Sequence, residues 1–305
     1  MYCFIVNPKS CSGKGLKIWG SVAKELQENQ VEYKVFFTEH RGHACELAKK
    51  ASTEYLPCTI VAVGGDGTAN EVINGLCNYD SIQFGYIPTG SGNDLARGLS
   101  LPAKPDAALS CILHPNRIQY LSVGTNLLDG VPKRFIVSTG MGFDAAVCHE
   151  AMQSKIKSAL NRFGLGKLTY LGIALKQLLL LRPGSVTLKM DGEKQQRFEH
   201  VFFAAVMNLK YEGGGFMFCP RANAQDDYLD ICLVEQMPKL KILFLLPTAF
   251  KGRHTKFKGI HIFRCKKAVL QADDVLTVHT DGESHGSHLC MEISLSTQKL
   301  PFITG

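Results

Sequence analysis

Residues 64–68 read Gly64-Gly65-Asp66-Gly67-Thr68 and directly follow the β-branched, apolar run Thr59-Ile60-Val61-Ala62-Val63. Glycines carry no Cβ, so backbone amides in such a loop can approach the oxygens of a polyphosphate closely. Asp66 adds a carboxylate able to hold a metal-bridged phosphate or to orient a sugar hydroxyl. Thr68-Ala69-Asn70-Glu71 has the spacing of a capping box, which predicts a helix starting at Thr68 with its positive end toward the loop. The same residues also make a plain strand–turn–helix connection with no ligand. Further segments of the same kind weigh against that plain reading.

The first strand runs into Asn7-Pro8-Lys9-Ser10-Cys11-Ser12-Gly13-Lys14-Gly15. Gly13-Lys14 is followed by glycine rather than Ser or Thr, so the Walker A pattern fails, while phosphate contact through backbone amides stays open. Thr38 ends the second strand, as an ordinary cap or as a ligand contact. Another segment is Pro88-Thr89-Gly90-Ser91-Gly92-Asn93-Asp94-Leu95-Ala96-Arg97. There Ser91 and Asp94 fit a second capping box, and a hydroxyl between two glycines also suits a phosphate or polyol. Asp-Gly-Glu occurs twice, at 191–193 and 281–283, and each copy follows a strand as a hairpin turn would. His279, His285 and His288 crowd the second copy. No cysteine or carboxylate has matching metal-ligand spacing, so they read as surface histidines of a hairpin loop.

Elements must hold these segments in place. Tyr2–Asn7, Glu32–Thr38, Thr59–Gly64 and Gln83–Pro88 read as strands alternating with helices. The first helix carries Leu16, Trp19, Ala23 and Leu26 on one face, with Trp19 as core. Such alternation implies a parallel sheet covered on both faces, with ligands at the carboxyl ends of its strands. After Gly124 the rhythm changes. Arg134–Thr139, Ser185–Met190, Phe198–Asn208, Leu229–Val234, Gly259–Phe263, Lys267–Gln271 and Val275–Thr280 read as strands. Helical stretches are expected at Lys155–Leu181 and Lys239–Phe250. The expected fold class is thus α/β plus β. A doubly wound α/β nucleotide-binding domain spans 1–124, and a mostly antiparallel β-sandwich with inserted helices spans 125–294. The tail, about 295–305, is expected to return to the first domain.

Composition narrows the class. With 305 residues, 45% apolar and 20% charged, the chain can bury the cores of two domains and is neither disordered nor fibrous. Met1–Val6 lacks the basic and apolar regions of a signal peptide, so the expectation is cytoplasmic. Eleven cysteines without a Cys-x-x-Cys pair suggest reduced thiols rather than a disulfide framework or zinc site. The net charge of +7 is uneven. Lys239, Lys241, Lys251, Arg253, Lys256, Lys258, Arg264, Lys266 and Lys267 are interleaved with Leu243, Phe244, Leu245, Leu246 and Phe250. This is either a solvated basic face or a surface for anionic lipid headgroups. No nucleic-acid motif accompanies it.

Together, Gly-Gly-Asp-Gly-Thr with Asn70-Glu71-Val72-Ile73-Asn74-Gly75 and Pro-Thr-Gly-Ser-Gly-Asn-Asp-Leu-Ala-Arg resemble the diacylglycerol kinase catalytic-domain family. The likeness is to its soluble bacterial lipid kinases, relatives of the sphingosine kinases. It continues through Gly140-Met141-Gly142-Phe143-Asp144-Ala145, Asn208, Gly213-Gly214-Gly215, Pro220, Ala222 and Asp281-Gly282-Glu283. The resemblance implies ATP and Mg²⁺ in a cleft between the domains and a membrane lipid as acceptor. Asn7, Pro8, Lys9, Thr38, Gly64, Gly65, Asp66, Gly67, Thr68, Ala69, Asn70, Glu71, Gly90, Ser91 and Gly92 would then contact the nucleotide. Asn93 and Asp94 would meet the acceptor. The resemblance selects the second Asp-Gly-Glu, with Glu283 as base and Asp281 beside the γ-phosphate and metal, roles that remain interchangeable. Asn223, Asp226 and Tyr228 resemble a second, structural Mg²⁺ loop, although Asp227 stands where the family has glycine. The implied enzyme is a peripheral kinase of the inner membrane face, with a homodimer left open. The alternatives are an NAD kinase-like enzyme, or a nucleotide- or lipid-binding protein without catalysis.

Overall fold

The computed structural model describes residues 1–153 and 166–305. By contact the chain divides into two compact units, Met1–Val123 with Thr297–Gly305, and Gly124–Ser296.

In the first unit, β1 (Tyr2–Val6), β2 (Tyr33–Phe37), β3 (Cys58–Gly64) and β4 (Ile82–Pro88) pair in parallel, in the order β2-β1-β3-β4. Almost every residue of β1, β3 and β4 is buried, which explains their continuous apolar runs. Phe4, Val6, Val61, Val63 and Ile87 share a core with α2 (Gly15–Glu28) and α6 (Pro105–Leu113), α1 being the short turn Ser10–Gly13. Trp19 anchors that core, its ring 5.3 Å from Phe4 and 5.9 Å from Tyr33. Alternate residues Ile5, Ile60 and Ala62 are also buried, and α3 (His43–Glu54) and α4 (Asp66–Gly75) pack on β1 and β3. The chain end joins this unit through the parallel pair Phe302↔Phe84.

The second unit is β-rich. Its strands are β6 (Val131–Phe135), β7 (Ser138–Gly142), β8 (Gly184–Met190), β9 (Gln196–Met207), β10 (Leu229–Glu235), β11 (Ile260–Cys265) and β12 (Lys267–Thr280). They are joined by the end of β5 (Ile118–Leu128) and most of β13 (Glu283–Ile303). The path β11-β10-β9-β7-β12-β13 is antiparallel throughout. Three expectations change. Lys267–Gln271 and Val275–Thr280 belong to one strand, β12, because its break is a register shift between Gln271 and Leu276 rather than a turn. Arg134–Thr139 is split between β6 and β7. Of the expected helix Lys155–Leu181, residues 155–165 lie outside the described residues; α7 (Phe143–Gln153) precedes them and α8 (Gly166–Leu180) follows. A further helix, α9 (Lys239–Ala249), follows β10.

Candidate active site

In the first unit, four loops leave the carboxyl ends of β1–β4, and side chains tie them into one rim. Asn7 Nδ2 donates to Thr68 Oγ1 at 3.2 Å. Thr89 Oγ1 donates to Ser10 Oγ at 2.8 Å, and Lys9 Nζ to the Glu39 carbonyl at 3.3 Å. Thr38 is buried, and its amide bonds the Val6 carbonyl. Neither expected capping box forms. α4 starts at Asp66 rather than Thr68, because extended Gly65 is its N-cap and leaves Thr68 inside the first turn. Glu71 therefore reaches elsewhere: its carboxylate accepts the amides of Gly42 at 2.8 Å and Ala44 at 3.2 Å. Gly42 is the N-cap of α3 and has no side chain of its own to cap it.

Asp66 is likewise committed to the protein. Its Oδ2 accepts the Asp94 amide at 3.1 Å and its Oδ1 the Leu95 amide at 3.2 Å. Burial raises its pKa despite these bonds. It thus supplies the N-terminal acceptor for α5 (Asp94–Gly98), the role that Ser91 was expected to fill. Asn93, at φ 50°, closes on Gly90 in both directions: its Oδ1 accepts the Gly90 amide at 2.9 Å and its Nδ2 donates to the Gly90 carbonyl at 3.0 Å. Asp94 pairs with Arg97, and Arg97 also donates to the Gly92 carbonyl. None of Gly64, Gly65, Gly67, Gly90 and Gly92 has positive φ. What they provide is contact: a Cβ on Gly90 would sit 2.8 Å from the Gly65 Cα, and one on Gly64 would sit 2.5 Å from Thr68. The two glycine loops lie against each other. Ala69 and Asn70 are buried, Pro8 and Gly67 are half-buried, and Ser91 is exposed. Among the described residues, no side chain caps the first amides of α4. A helix start so arranged presents its N–H groups and positive end to an anion.

In the second unit, Asp281 (φ 49°) and Gly282 (φ 81°) form a two-residue hairpin loop, with Thr280 paired to Glu283. Positive φ at both residues is the type I′ turn that suits Asp-Gly. The Asp281 carboxylate accepts the amides of Ile136, Val137 and Ser138 at 3.0, 2.8 and 2.9 Å. Three backbone donors make it a brace for residues 136–138. Asp191-Gly192 makes the same turn, and the Asp191 carboxylate accepts the Lys266 and Lys267 amides. The copies differ in surroundings: residues 191–193 are exposed, whereas 281–283 are half-buried.

For His279 the expectation of a surface histidine is corrected. His279 is fully buried. Its Nε2 lies 3.2 Å from Asp144 Oδ2 and 3.0 Å from Glu212 Oε1, both on buried residues. Its Nδ1 accepts the Gly282 amide at 3.2 Å. Burial opposes a charged ring, yet the Glu212 and Asp144 carboxylates raise its pKa well above the ordinary 6.5. Nε2 faces both carboxylates, and burial raises the pKa of Asp144. Ligand atoms of these three residues lie within 4.8 Å of one another, close enough for a metal ion. With Nε2 within hydrogen-bond distance of both carboxylates, the trio holds together as a hydrogen-bonded cluster. His285 bonds Thr280 Oγ1, and His288 pairs with Asp129.

The expected Mg²⁺ loop does not fit the ion. Asp226 Oδ2 already carries the Arg264 guanidinium at 2.7 Å, and its Oδ1 accepts the Tyr228 amide at 3.1 Å. The Asn223 carbonyl accepts the Asp226 amide. Arg264 also stacks 4.4 Å above the Tyr228 ring. Asp227 takes φ 61°, the left-handed geometry natural to glycine.

Asp144, Glu212 and His279 were not identified as site residues from sequence. Asp144 lies in the Gly140–Ala145 segment and His279 two residues before Asp281, but nothing local links them to Glu212.

Residues 1–124 match the family model described as "Diacylglycerol kinase catalytic domain". Residues 137–301 match that described as "YegS C-terminal NAD kinase beta sandwich-like domain". "Putative lipid kinase YtlR" of Bacillus subtilis (strain 168) is 34% identical over 294 residues, covering 93% of each chain. "Diacylglycerol kinase" of Mycobacterium tuberculosis (strain ATCC 25618 / H37Rv) is 30% identical over 280 residues, covering 92% of this chain and 87% of the relative. A crystal structure of "a putative diacylglycerol kinase from Bacillus anthracis str. Sterne" has the same fold, with a TM-score of 0.78 at 22% identity. The match covers 100% of this chain and 95% of that one.

Proposed function

The chain belongs to the diacylglycerol kinase catalytic-domain family, and on that premise we propose that it transfers the γ-phosphoryl group of ATP to the hydroxyl of a diacylglycerol-like lipid, giving a phosphatidate-like product. The observation that carries this reading is the start of α4, where amides without a side-chain cap lie on a rim locked by Asn7, Asp66, Thr68 and Glu71. A rigid set of backbone donors suits a polyphosphate, whose charge is spread over many oxygens.

Glu283 is the proposed base. Asp281 grips residues 136–138 and holds the turn, and Glu283 beside it is the base that the family resemblance implies. The acceptor oxygen forms the new bond to the γ-phosphorus as the bond to the β-phosphate oxygen breaks. Its proton passes to Glu283, and ADP leaves. Mg²⁺ bound with the nucleotide would neutralise phosphate charge. The Asn223–Tyr228 loop is not used to hold it.

The lipid is proposed to be met at an anionic membrane surface on the cytoplasmic side. No helix among the described residues is long and apolar enough to cross a membrane. Leu179, Leu240 and Phe244 are 73%, 71% and 76% exposed on α8 and α9, far more than apolar residues of a closed core. Lys239 Nζ bonds the Leu179 carbonyl at 2.6 Å, joining the two helices. Lys241, Lys251, Arg253, Lys256 and Lys258 supply charge complementary to anionic headgroups.

The test is transfer of label from γ-labelled ATP, with Mg²⁺, into mixed micelles of total lipid extract, beside a soluble NAD reaction. Label in an organic-soluble product supports the reading, and chromatography then identifies the acceptor. Label in NAD alone moves the chain to the NAD kinase-like alternative, to which the β-rich half is similar by its family description.

A further inference from the structure

We propose that His279 is a positioning residue: its ring fixes the Asp281-Gly282 turn, and with it Glu283, against the buried carboxylates of Asp144 and Glu212. The inference rests on the kinase reading given above. Gly282 directs its amide at His279 Nδ1 from inside the turn. On the far side of the ring, Nε2–H is shared between Asp144 Oδ2 and Glu212 Oε1. Every member of the cluster is itself held. Asp144 Oδ1 accepts the Ala145 amide at the start of α7, and Glu212 bridges to Phe216. The His279 carbonyl accepts Thr139 Oγ1 at 2.6 Å, and Asn126 Nδ2 in turn donates to that oxygen at 2.8 Å.

Two observations separate this arrangement from an ordinary core histidine. The other oxygen of Glu212, Oε2, is buried without a hydrogen-bond partner. Such a group is costly, so a cluster built only for stability would not keep it. Space is also reserved for the cluster: His279 pairs with Gly140 across β12 and β7, and a Cβ on Gly140 would stand 2.3 Å from Asp144 Oδ2 and 3.0 Å from His279 Nε2. Glycine is therefore required there by close approach. The turn is gripped twice, by Asp281 on residues 136–138 and by His279 through Gly282. Asp191-Gly192 has the first grip, through the Lys266 and Lys267 amides.

Two isosteric variants separate the two ends of the ring. His279→Asn places an amide oxygen near the Nδ1 position and keeps an acceptor for the Gly282 amide. His279→Gln reaches the Nε2 position and leaves that amide bare. Lipid phosphorylation by His279→Asn should stay within about fivefold of the unaltered chain in kcat, while His279→Gln should lose about tenfold or more, because small misplacements of a catalytic group are costly. The KM for ATP should be unchanged in both, and hydrogen exchange at the Gly282 amide should quicken in His279→Gln alone. Equal losses in the two variants, or no loss in His279→Gln, overturn the proposal. If either variant fails to fold, Glu212→Gln takes its place, with kcat expected to fall at constant KM for ATP; unchanged kcat overturns the proposal. Absence of lipid phosphorylation by the unaltered chain would instead refute the kinase reading, and Gly282 exchange would still report on the His279 contact.

Discussion

Asp66 accepts the backbone amide of Asp94 at 3.1 Å, so the glycine loop after β3 holds the start of the helix after β4. Asp66→Ala removes that acceptor and the one for Leu95. The expected loss is about 1–3 kcal/mol of stability, read from urea unfolding. Asp66→Asn keeps one carbonyl oxygen and should lose less. A variant that unfolds like the unaltered chain but no longer binds ATP would contradict the capping role and restore Asp66 as a nucleotide or metal contact.

His254 is buried, with Nε2 bonded to the Phe218 carbonyl at 3.0 Å, and burial lowers its pKa below the ordinary 6.5. Below pH 6.5 the unfolded chain therefore takes up a proton that the folded chain refuses. Stability should fall as the pH drops from 6.5 toward the lower folded-state pKa, and should be insensitive to this group above pH 7. His254→Gln should flatten that part of a thermal-midpoint profile; an unchanged slope would assign the acid sensitivity to other groups.

Arg264 pairs with Asp226, the carboxylate expected to hold a structural Mg²⁺. Its pair with Asp226 is partly exposed, so Arg264→Met should cost only about 1 kcal/mol, plus whatever the Tyr228 stacking adds. The thermal midpoint of the unaltered chain should not move when EDTA replaces MgCl₂. A drop of several degrees with EDTA, together with one tightly held Mg²⁺ per chain, would show that the metal displaces the guanidinium.

Phe244 and Leu240 face solvent on α9. Replacing both with serine should leave the unfolding midpoint nearly unchanged, because exposed side chains contribute little to the core. Sedimentation with phosphatidylglycerol vesicles should weaken several-fold. Undiminished vesicle binding would place the membrane contact elsewhere.

The reading from sequence succeeded where information is local. The apolar runs of β1, β3 and β4 fall where expected, and Trp19 occupies the core of the first unit because its helical spacing with Leu26 is a property of a few turns. It failed where a polar side chain serves a distant amide. Glu71 fits a local cap and Asp66 a ligand contact, yet their amide partners lie 29 and 28 positions away. His279 sits in a run of histidines that looks exposed, and its partner Asp144 is 135 positions distant. In sequence the glycines read as space for a ligand. The fold adds a second reason, since Gly65 and Gly90 touch.

Asp191-Gly192-Glu193 and Asp281-Gly282-Glu283 adopt the same turn, and each aspartate braces neighbouring amides, so catalysis by Glu283 can be tested against a built-in control. The decisive measurement is transfer of label from γ-labelled ATP to extracted lipid by Glu283→Gln and Glu193→Gln side by side. The account predicts that Glu283→Gln loses about a hundredfold or more in rate, with ATP binding retained, and that Glu193→Gln behaves as the unaltered chain. Full activity in Glu283→Gln, or equal losses in both, would contradict it.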